Sequence, residues 1–279
     1  MRKYDPFDAA QAVRGSEEPS GSERGHSEYN RTMKNLTDKI AFVTGSTRGI
    51  GKAIALELAS DGAIVLLHGS AKSKAAENAF YEVQKISPKS KLYYAYIEDF
   101  NAVSSMTQAV QKDFRYIDIL INNASIVKNS MFLNMSIEEW DSVMKVNVYG
   151  TFYITKSFVP LIINAKKGKI INMSSISGQV GEYGQTNYCA SKTAILGFTR
   201  ALSKEMAKYN ITVNAICPAV IDSDAVNNIP KKYRDQLMQK IPLGRAGKKE
   251  EVAKLVAFLC SDDADYITGQ AISINGGMY

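Results

Sequence analysis

The chain has 279 residues, of which 45% are hydrophobic, and a formal net charge of +6. This length and composition allow a large buried core and predict one α/β domain with a tail. No apolar run reaches the roughly 20 residues needed to cross a bilayer, and the N-terminus lacks the apolar core of a secretory signal. We therefore expect a soluble, cytoplasmic protein without a membrane partner.

Residues 1–34 have the composition of a disordered extension, because they are rich in Gly, Ser, Glu and Arg and have no apolar periodicity. Six Lys/Arg balance six Asp/Glu in this segment, so the net positive charge belongs to residues 35–279, the predicted globular domain. The domain has no basic cluster interleaved with aromatic residues, which argues against nucleic acid as a partner. The three cysteines have no metal-ligand spacing, so no metal site is predicted.

Seven apolar, β-branched runs alternate with amphipathic segments along the domain. This pattern predicts a Rossmann-type, doubly wound parallel sheet of about seven strands flanked by helices. Such sheets bind ligands beyond the carboxyl ends of their strands. In chain order, the runs are KIAFVT, AIVLLH, KLYYAYI, IDILI, KIINM, ITVNAI and QAISI.

A glycine-rich turn follows the first strand and precedes the helical segment AIALELAS. Glycines permit a tight turn, and the N–H groups at the start of the helix favour a pyrophosphate. Taken alone, the motif could also be a simple turn, which is the less favoured of the two interpretations. The predicted cofactor-binding residues of this turn are Gly45, Ser46, Thr47, Arg48, Gly49, Ile50 and Gly51.

The end of the second strand indicates which nicotinamide cofactor is preferred. An acidic residue at that position binds the ribose 2′-hydroxyl and repels a 2′-phosphate, but here the strand is followed by Gly69 and Ser70. Arg48 and Ser70 could hold a phosphate through charge-assisted bonds, although Arg48 could also be an ordinary surface charge. The pattern favours NADPH (NADP+) over NADH.

Four polar residues form the predicted catalytic group. Tyr188 and Lys192 are spaced i and i+4 in NYCASK, which places them on one face of a helix. Ser175 lies thirteen residues before Tyr188, and Asn147 lies further upstream in KVNVYG. Each residue alone could be a structural cap or a surface side chain, but the combination indicates hydride-transfer chemistry.

In order along the chain, TGSTRGIG, DILINNAS, KVNVYG, INMSSISG, NYCASK, NAICPAVIDS and ITGQAISINGG resemble the short-chain dehydrogenase/reductase family. Within the family, the chain is most similar to the 3-oxoacyl-[acyl-carrier-protein] reductases. The resemblance implies that Tyr188 is the general acid, with a pKa lowered by Lys192 and the cofactor. It also implies that Lys192 holds the nicotinamide ribose, that Ser175 orients the substrate carbonyl, with Ser174 as the alternative, and that Asn147 positions a water.

The resemblance extends to further cofactor contacts. It implies that Asp99 and Phe100 contact the adenine and that Asn123 lines the ribose. Ile221 and Ser223 would contact the nicotinamide carboxamide. The chain departs from the family pattern at Ser125 and Ala219, where glycine is usual, and at Ser223, where threonine is usual.

The implied function is NADPH-dependent reduction of a 3-oxoacyl thioester, bound to acyl carrier protein, in fatty acid or related acyl-chain biosynthesis. The alternatives are a dehydrogenase of a sugar, polyol or other secondary alcohol, and a non-catalytic NADP-binding regulatory protein. The resemblance also implies a homotetramer. Two lysine clusters could either border the site entrance, as a docking patch for the acidic carrier, or form a solvated face: Lys166, Lys167 and Lys169, and Lys204 and Lys208.

Overall fold

The computed structural model describes residues 36–222 and 231–279. The predicted N-terminal extension, residues 1–34, and the predicted carboxamide contact Ser223 lie outside the described residues. Among the described helices, none combines the length and the apolar character required to span a membrane.

The described domain is built on a seven-stranded parallel sheet, which confirms the predicted fold class. The strand order is β3-β2-β1-β4-β5-β6-β7, so the winding direction reverses between β1 and β4. This reversal is the topological switch point, where open α/β sheets bind their ligands. The strands are β1 (Ile40–Val43), β2 (Ile64–Gly69), β3 (Lys91–Tyr94), β4 (Ile119–Asn122), β5 (Gly168–Met173), β6 (Ile211–Pro218) and β7 (Ala271–Ile274).

Helices cover both faces of the sheet. Alternate strand residues point to opposite sides, so each face of the sheet packs against its own set of helices. Ala41 and Val43 of β1 face a core that includes buried residues of α1 and α9. Phe42 faces the other core, where its ring centroid lies 4.3 Å from that of Phe158 in α5. The helices are α1 (Gly49–Ser60), α2 (Lys74–Ile86), α3 (Phe100–Asp113), α4 (Ile137–Met144), α5 (Thr151–Asn164), α6 (Ser177–Val180), α7 (Thr186–Met206), α8 (Lys231–Gln239) and α9 (Lys249–Cys260).

A buried row of polar side chains crosses the middle of the sheet. Asn122 of β4 donates from Nδ2 to Thr155 Oγ1 of α5 at 2.9 Å and to Asn172 Oδ1 of β5 at 2.8 Å. Asn172 in turn donates to Thr199 Oγ1 of α7 at 2.9 Å. Because buried polar groups are costly to leave unpaired, this row fixes α5 and α7 in position relative to the two central strands.

Candidate active site

The glycine-rich loop joins β1 to α1 with a backbone that requires glycine. Gly45 and Gly49 have φ angles of +62° and +57°, in the left-handed region that favours glycine. A Cβ on Gly51 would overlap the carbonyl oxygen of Gly45 and the Asn123 side chain. Arg48 is the N-cap residue of α1, and its side chain makes no capping hydrogen bond within the described chain. The start of α1 therefore keeps the donor groups that suit an anionic ligand.

Side chains at the ends of β1 and β4 hold this loop at the switch point. Asn123 donates from Nδ2 to the carbonyl oxygens of Thr44 at 2.9 Å and Gly45 at 3.2 Å. The Thr44 hydroxyl accepts from the backbone N–H groups of Asn123 at 2.8 Å and Ala124 at 3.0 Å. The loop is thus tied to β4 before any ligand binds.

A cleft of about 680 Å³ opens at the carboxyl ends of the strands around this loop. Its size fits a large organic cofactor. Eight of the predicted cofactor-binding residues line it: Gly45, Thr47, Arg48, Gly49, Ile50, Gly51, Ser70 and Asn123. The lining also includes residues that were not predicted as cofactor contacts: His68, Tyr96, Ile97, Glu98, Ser125, Ile126, Ser142 and Lys145. The position of Tyr96 and Ile97 just after β3 is the sequence signal that could have identified them.

Six of the predicted cofactor contacts that the structure describes do not line this cleft: Ser46, Asp99, Phe100, Tyr188, Lys192 and Ile221. Asp99 is the N-cap of α3, where Oδ1 accepts from the N–H groups of Asn101 at 2.8 Å and Ala102 at 3.2 Å. Phe100 packs against Tyr153, with ring centroids 5.3 Å apart. Ser46 is fully buried, and its hydroxyl accepts from the N–H of His68 at 2.9 Å. The residues just before this pair, Tyr96, Ile97 and Glu98, line the cleft. The contacts of Asp99 and Phe100 with the adenine stay a prediction.

The predicted carboxamide contact Ile221 lies just after β6. Ile221 is 8% exposed and forms a parallel bridge with Gly247, and it does not line the described cleft. Ser125 and Ala219 stand where the family pattern has glycine. Ser125 lines the cleft. The other, Ala219, donates its backbone N–H to Ile274 of β7 at 3.2 Å.

Tyr188 and Lys192 lie one turn apart near the start of α7. The ammonium of Lys192 is 5.5 Å from the centroid of the Tyr188 ring. It donates to the carbonyl oxygen of Met173, the last residue of β5, at 2.8 Å. Lys192 is only 3% exposed, and the loss of hydration on burial lowers its pKa from 10.5 to about 8.

Ser175 is the serine that faces the phenol. Its hydroxyl lies close enough to the Tyr188 phenol to lower the pKa of that phenol, and it accepts from the N–H of Ser177 at 3.1 Å. The adjacent Ser174 points elsewhere, since its hydroxyl donates to the carbonyl oxygen of Lys192 at 2.8 Å. The geometry therefore favours Ser175 over Ser174 as the partner of a substrate carbonyl.

The protein groups around Tyr188 favour the protonated phenol. Burial raises the pKa of Tyr188, and the nearby hydroxyl of Ser175 lowers it by a smaller amount. The side chains alone therefore produce a pKa above the usual value, and the expected lowering by Lys192 and the cofactor together stays a prediction. A phenol that keeps its proton is suited to act as an acid.

Asn147 lies in a π-helical turn, Lys145–Gly150, between α4 and α5. Its side-chain amide accepts from the N–H of Ile126 at 2.8 Å and donates to the Ile126 carbonyl oxygen at 2.9 Å and to Ser191 Oγ at 3.0 Å. Ser191 then donates to the carbonyl oxygen of Tyr188 at 2.7 Å. Asn147 thus connects the wall of the cleft to the helix that holds Tyr188.

The lysine clusters do not border this site, which corrects the expected position of a docking patch. Lys169 lies at the amino end of β5 and pairs with Asp265 at 2.7 Å. Lys167 pairs with Asp262 at 2.8 Å and with Asp265 at 2.6 Å. Lys204 follows Tyr188 by sixteen residues of α7, about 24 Å along the helix axis. A parallel sheet places both clusters at the edge opposite the catalytic group.

The two neighbouring serines provide a matched test of the site. We expect Ser175→Ala to lower kcat about 100-fold, because it removes a donor aimed at the reacting oxygen. Ser174→Ala should leave kcat within about threefold and reduce the free energy of unfolding by about 1 kcal/mol, since its hydroxyl bonds only to protein. Steady-state kinetics and urea unfolding of both variants measure these effects. An equal loss of kcat in the two variants would contradict the assignment.

The lowered pKa of Lys192 predicts a characteristic pH dependence of stability. Between about pH 8 and pH 10.5 the folded state has released the proton that the unfolded state retains, so stability rises with pH. Relative to Lys192→Met, the unaltered protein should gain up to about 3 kcal/mol of unfolding free energy over this interval. Urea unfolding of both proteins from pH 7 to pH 10 measures the difference. Parallel pH profiles would contradict a buried ammonium.

Known proteins resemble this chain over almost all of the described domain. A family model described as enoyl-(acyl carrier protein) reductase matches residues 45–279. The 3-oxoacyl-[acyl-carrier-protein] reductase FabG of Aquifex aeolicus is 41% identical over 249 residues, which cover 88% of this chain and 98% of the relative. The reductase of the same name from Haemophilus influenzae is 39% identical over 88% of this chain and 99% of its own length. Nodulation protein G of Rhizobium meliloti is 41% identical, with coverage of 88% and 99%.

The family match, the identities and the parallel sheet with a glycine loop at its switch point agree with one another. The chain belongs to the short-chain dehydrogenase/reductase family.

Proposed function

We propose that the protein reduces a 3-oxoacyl thioester to a 3-hydroxyacyl thioester with NADPH, in fatty acid or related acyl-chain biosynthesis. The main support is the convergence of Tyr188, Ser175 and Lys192 at the carboxyl ends of β5 and β6, beside the cleft. The names of the 3-oxoacyl-[acyl-carrier-protein] reductases that resemble the chain at about 40% identity support the substrate class.

The residues of the cleft fit a dinucleotide. The close approach of Gly51 to Gly45 leaves a cradle that any side chain would fill, and the uncapped start of α1 supplies N–H groups for a pyrophosphate. Once bound, a reduced nicotinamide supplies the hydride for carbonyl reduction. The protein's part is to hold the carbonyl, deliver a proton to its oxygen and stabilise the developing charge.

Proton delivery falls to Tyr188 in this proposal. The phenol donates its proton to the carbonyl oxygen, while the Ser175 hydroxyl donates a hydrogen bond to the same oxygen. The Lys192 ammonium stabilises the phenolate that remains, because the charges attract across a poorly hydrated site. With a pKa of about 8, Lys192 is still mostly protonated at neutral pH. Asn147 is proposed to position a water through which the proton is replaced.

The preference for NADPH rests on the charges at the end of β2. Gly69 and Ser70 line the cleft there, together with Arg48 from the glycine loop. The side chains at these positions include a cation and a hydroxyl but no carboxylate, which favours a 2′-phosphate. Glu98 also lines the cleft, but it follows β3.

The description of the matching family model suggests a second candidate, reduction of an enoyl thioester. Ser175 favours the carbonyl substrate, because its hydroxyl and the phenol of Tyr188 lie together and can both donate to one oxygen. A sugar or polyol dehydrogenase would use the same four residues. A non-catalytic NADP-binding protein would not need them.

Carrier-bound substrate and a homotetramer are further parts of the proposal. The carrier rests on the names of the relatives alone, since the lysine clusters lie at the other edge of the sheet. For the tetramer, a patch of exposed aromatic rings supports a subunit contact: Phe100 is 44% exposed, Tyr149 52% and Phe152 42%. Phe100 and Phe152 both pack against Tyr153.

The proposal is tested by the initial rate of NADPH oxidation with acetoacetyl thioester, either carrier-bound or on a short pantetheine. We expect turnover with NADPH, slower turnover with NADH and a lower KM for the carrier-bound form. Tyr188→Phe should lower kcat about 1,000-fold, because it removes the general acid without changing the ring.

Crotonyl thioester and a panel of secondary alcohols serve as comparison substrates in the same assay. Faster turnover of crotonyl thioester would favour the enoyl reductase, and faster turnover of an alcohol would favour the dehydrogenase. NADPH binding without turnover of any substrate would support the non-catalytic alternative.

A further inference from the structure

His68 lies at the carboxyl end of β2, where its ring forms part of the cleft wall. The side chain is almost completely buried. Nδ1 lies 3.2 Å from the backbone nitrogen of Gly45, the first glycine of the loop. Nε2 lies 3.1 Å from the carbonyl oxygen of Ala95, just beyond β3. The ring therefore spans the glycine loop and the chain that leaves β3, two segments that both line the cleft.

The two neighbours of the ring determine its protonation. The backbone N–H of Gly45 can only donate, so Nδ1 must accept, and the carbonyl of Ala95 can only accept, so Nε2 must have the hydrogen. One neutral tautomer satisfies both requirements. Burial lowers the pKa of His68 from 6.5 to about 4, so the ring keeps this form at neutral pH.

The main chain of His68 is bound to the loop as well. Its carbonyl oxygen accepts from the N–H of Ser46 at 3.0 Å, and its N–H donates to the Ser46 hydroxyl at 2.9 Å. His68 thus occupies the first two N–H groups of the loop. An anionic ligand must then use the later N–H groups, at the start of α1, which the held loop presents to the cleft.

We propose that His68 is a positioning residue for the dinucleotide: its neutral imidazole holds the first glycine of the loop in the conformation that binds the pyrophosphate. The acceptor at Nδ1 fixes the loop, and the donor at Nε2 fixes the ring against the chain after β3. This inference rests on the proposed function. It is separate from the catalytic group, because His68 contacts neither Tyr188 nor Lys192 by any described hydrogen bond.

Two amide substitutions separate the two bonds of the ring. The amide of asparagine lies near the position of Nδ1, so His68→Asn keeps an acceptor for Gly45. The amide of glutamine reaches the position of Nε2, so His68→Gln keeps a donor for Ala95 and leaves the Gly45 N–H without its acceptor. Each variant loses one bond of the ring, and we expect similar melting temperatures for the two.

We expect His68→Gln to raise the Kd for NADPH about tenfold, measured by the fluorescence of the bound nucleotide, because a buried N–H loses its partner. His68→Asn should raise it by no more than about threefold. The KM for the acyl thioester should change by less than twofold in both variants. Equal Kd values for the two variants would overturn the proposal, and failure of the unaltered protein to bind NADPH would overturn the proposed function itself.

The ring can also be observed without any substitution. The chain has two histidines, His26 and His68, so nitrogen-15 NMR of the ring nitrogens needs only one assignment. We expect His68 at pH 7 to be neutral with its hydrogen on Nε2, and its Nδ1 signal to shift when NADPH binds. A hydrogen on Nδ1, or a charged ring at pH 7, would overturn the proposal even if both variants fail to fold.

Discussion

The buried ammonium of Lys192 is the constraint on which the rest of the site depends. A charge with 3% exposure is unfavourable unless hydrogen bonds replace its lost hydration, and here the carbonyl oxygen of Met173 accepts from it at 2.8 Å. This bond joins α7 to the carboxyl end of β5. It also places the ammonium beside the Tyr188 ring, so the contact that makes burial tolerable is the one that prepares the site for catalysis.

The rest of the domain maintains this arrangement from a distance. The polar row from Thr155 through Asn122 and Asn172 to Thr199 connects α5, the two central strands and α7. Asn147 joins the turn before α5 to Ile126 and Ser191, and so connects the cleft wall to the catalytic helix. Because these groups are buried, breaking one of the hydrogen bonds would leave a buried polar group without a partner, which is energetically unfavourable. These hydrogen bonds together connect the site to the central strands and to the helices around it.

Much of this arrangement could be predicted from the sequence. Central strands of a parallel sheet are buried on both faces, which makes runs such as KIAFVT recognisable, and helical spacing pairs Tyr188 with Lys192. The strand direction, however, places Lys167 and Lys169 at the edge away from the site, where Asp262 and Asp265 neutralise them. Lys167 and Lys169 are close to Ser175 in sequence, and this closeness suggested that they border the site.

Other contacts could not be predicted from the local sequence. The carboxylate of Asp99, which we expect at the adenine, also caps α3, because a carboxylate just before a helix is a favourable N-cap. The hydrogen bonds of His68 could not be predicted, because its partners Gly45 and Ala95 are distant in sequence. Nothing in the local sequence pattern indicates a bond made only in the folded sheet.

In the proposed reaction, hydride reaches a carbonyl carbon whose oxygen is protonated by Tyr188. The most direct measurement is mass spectrometry of the product formed from acetoacetyl thioester and NADPH carrying deuterium at the transferable position. We expect a 3-hydroxyacyl thioester with one deuterium on the former carbonyl carbon, formed about 1,000-fold more slowly by Tyr188→Phe. A product without deuterium at that carbon, or an unchanged rate of formation of labelled product by Tyr188→Phe, would contradict the proposed reaction.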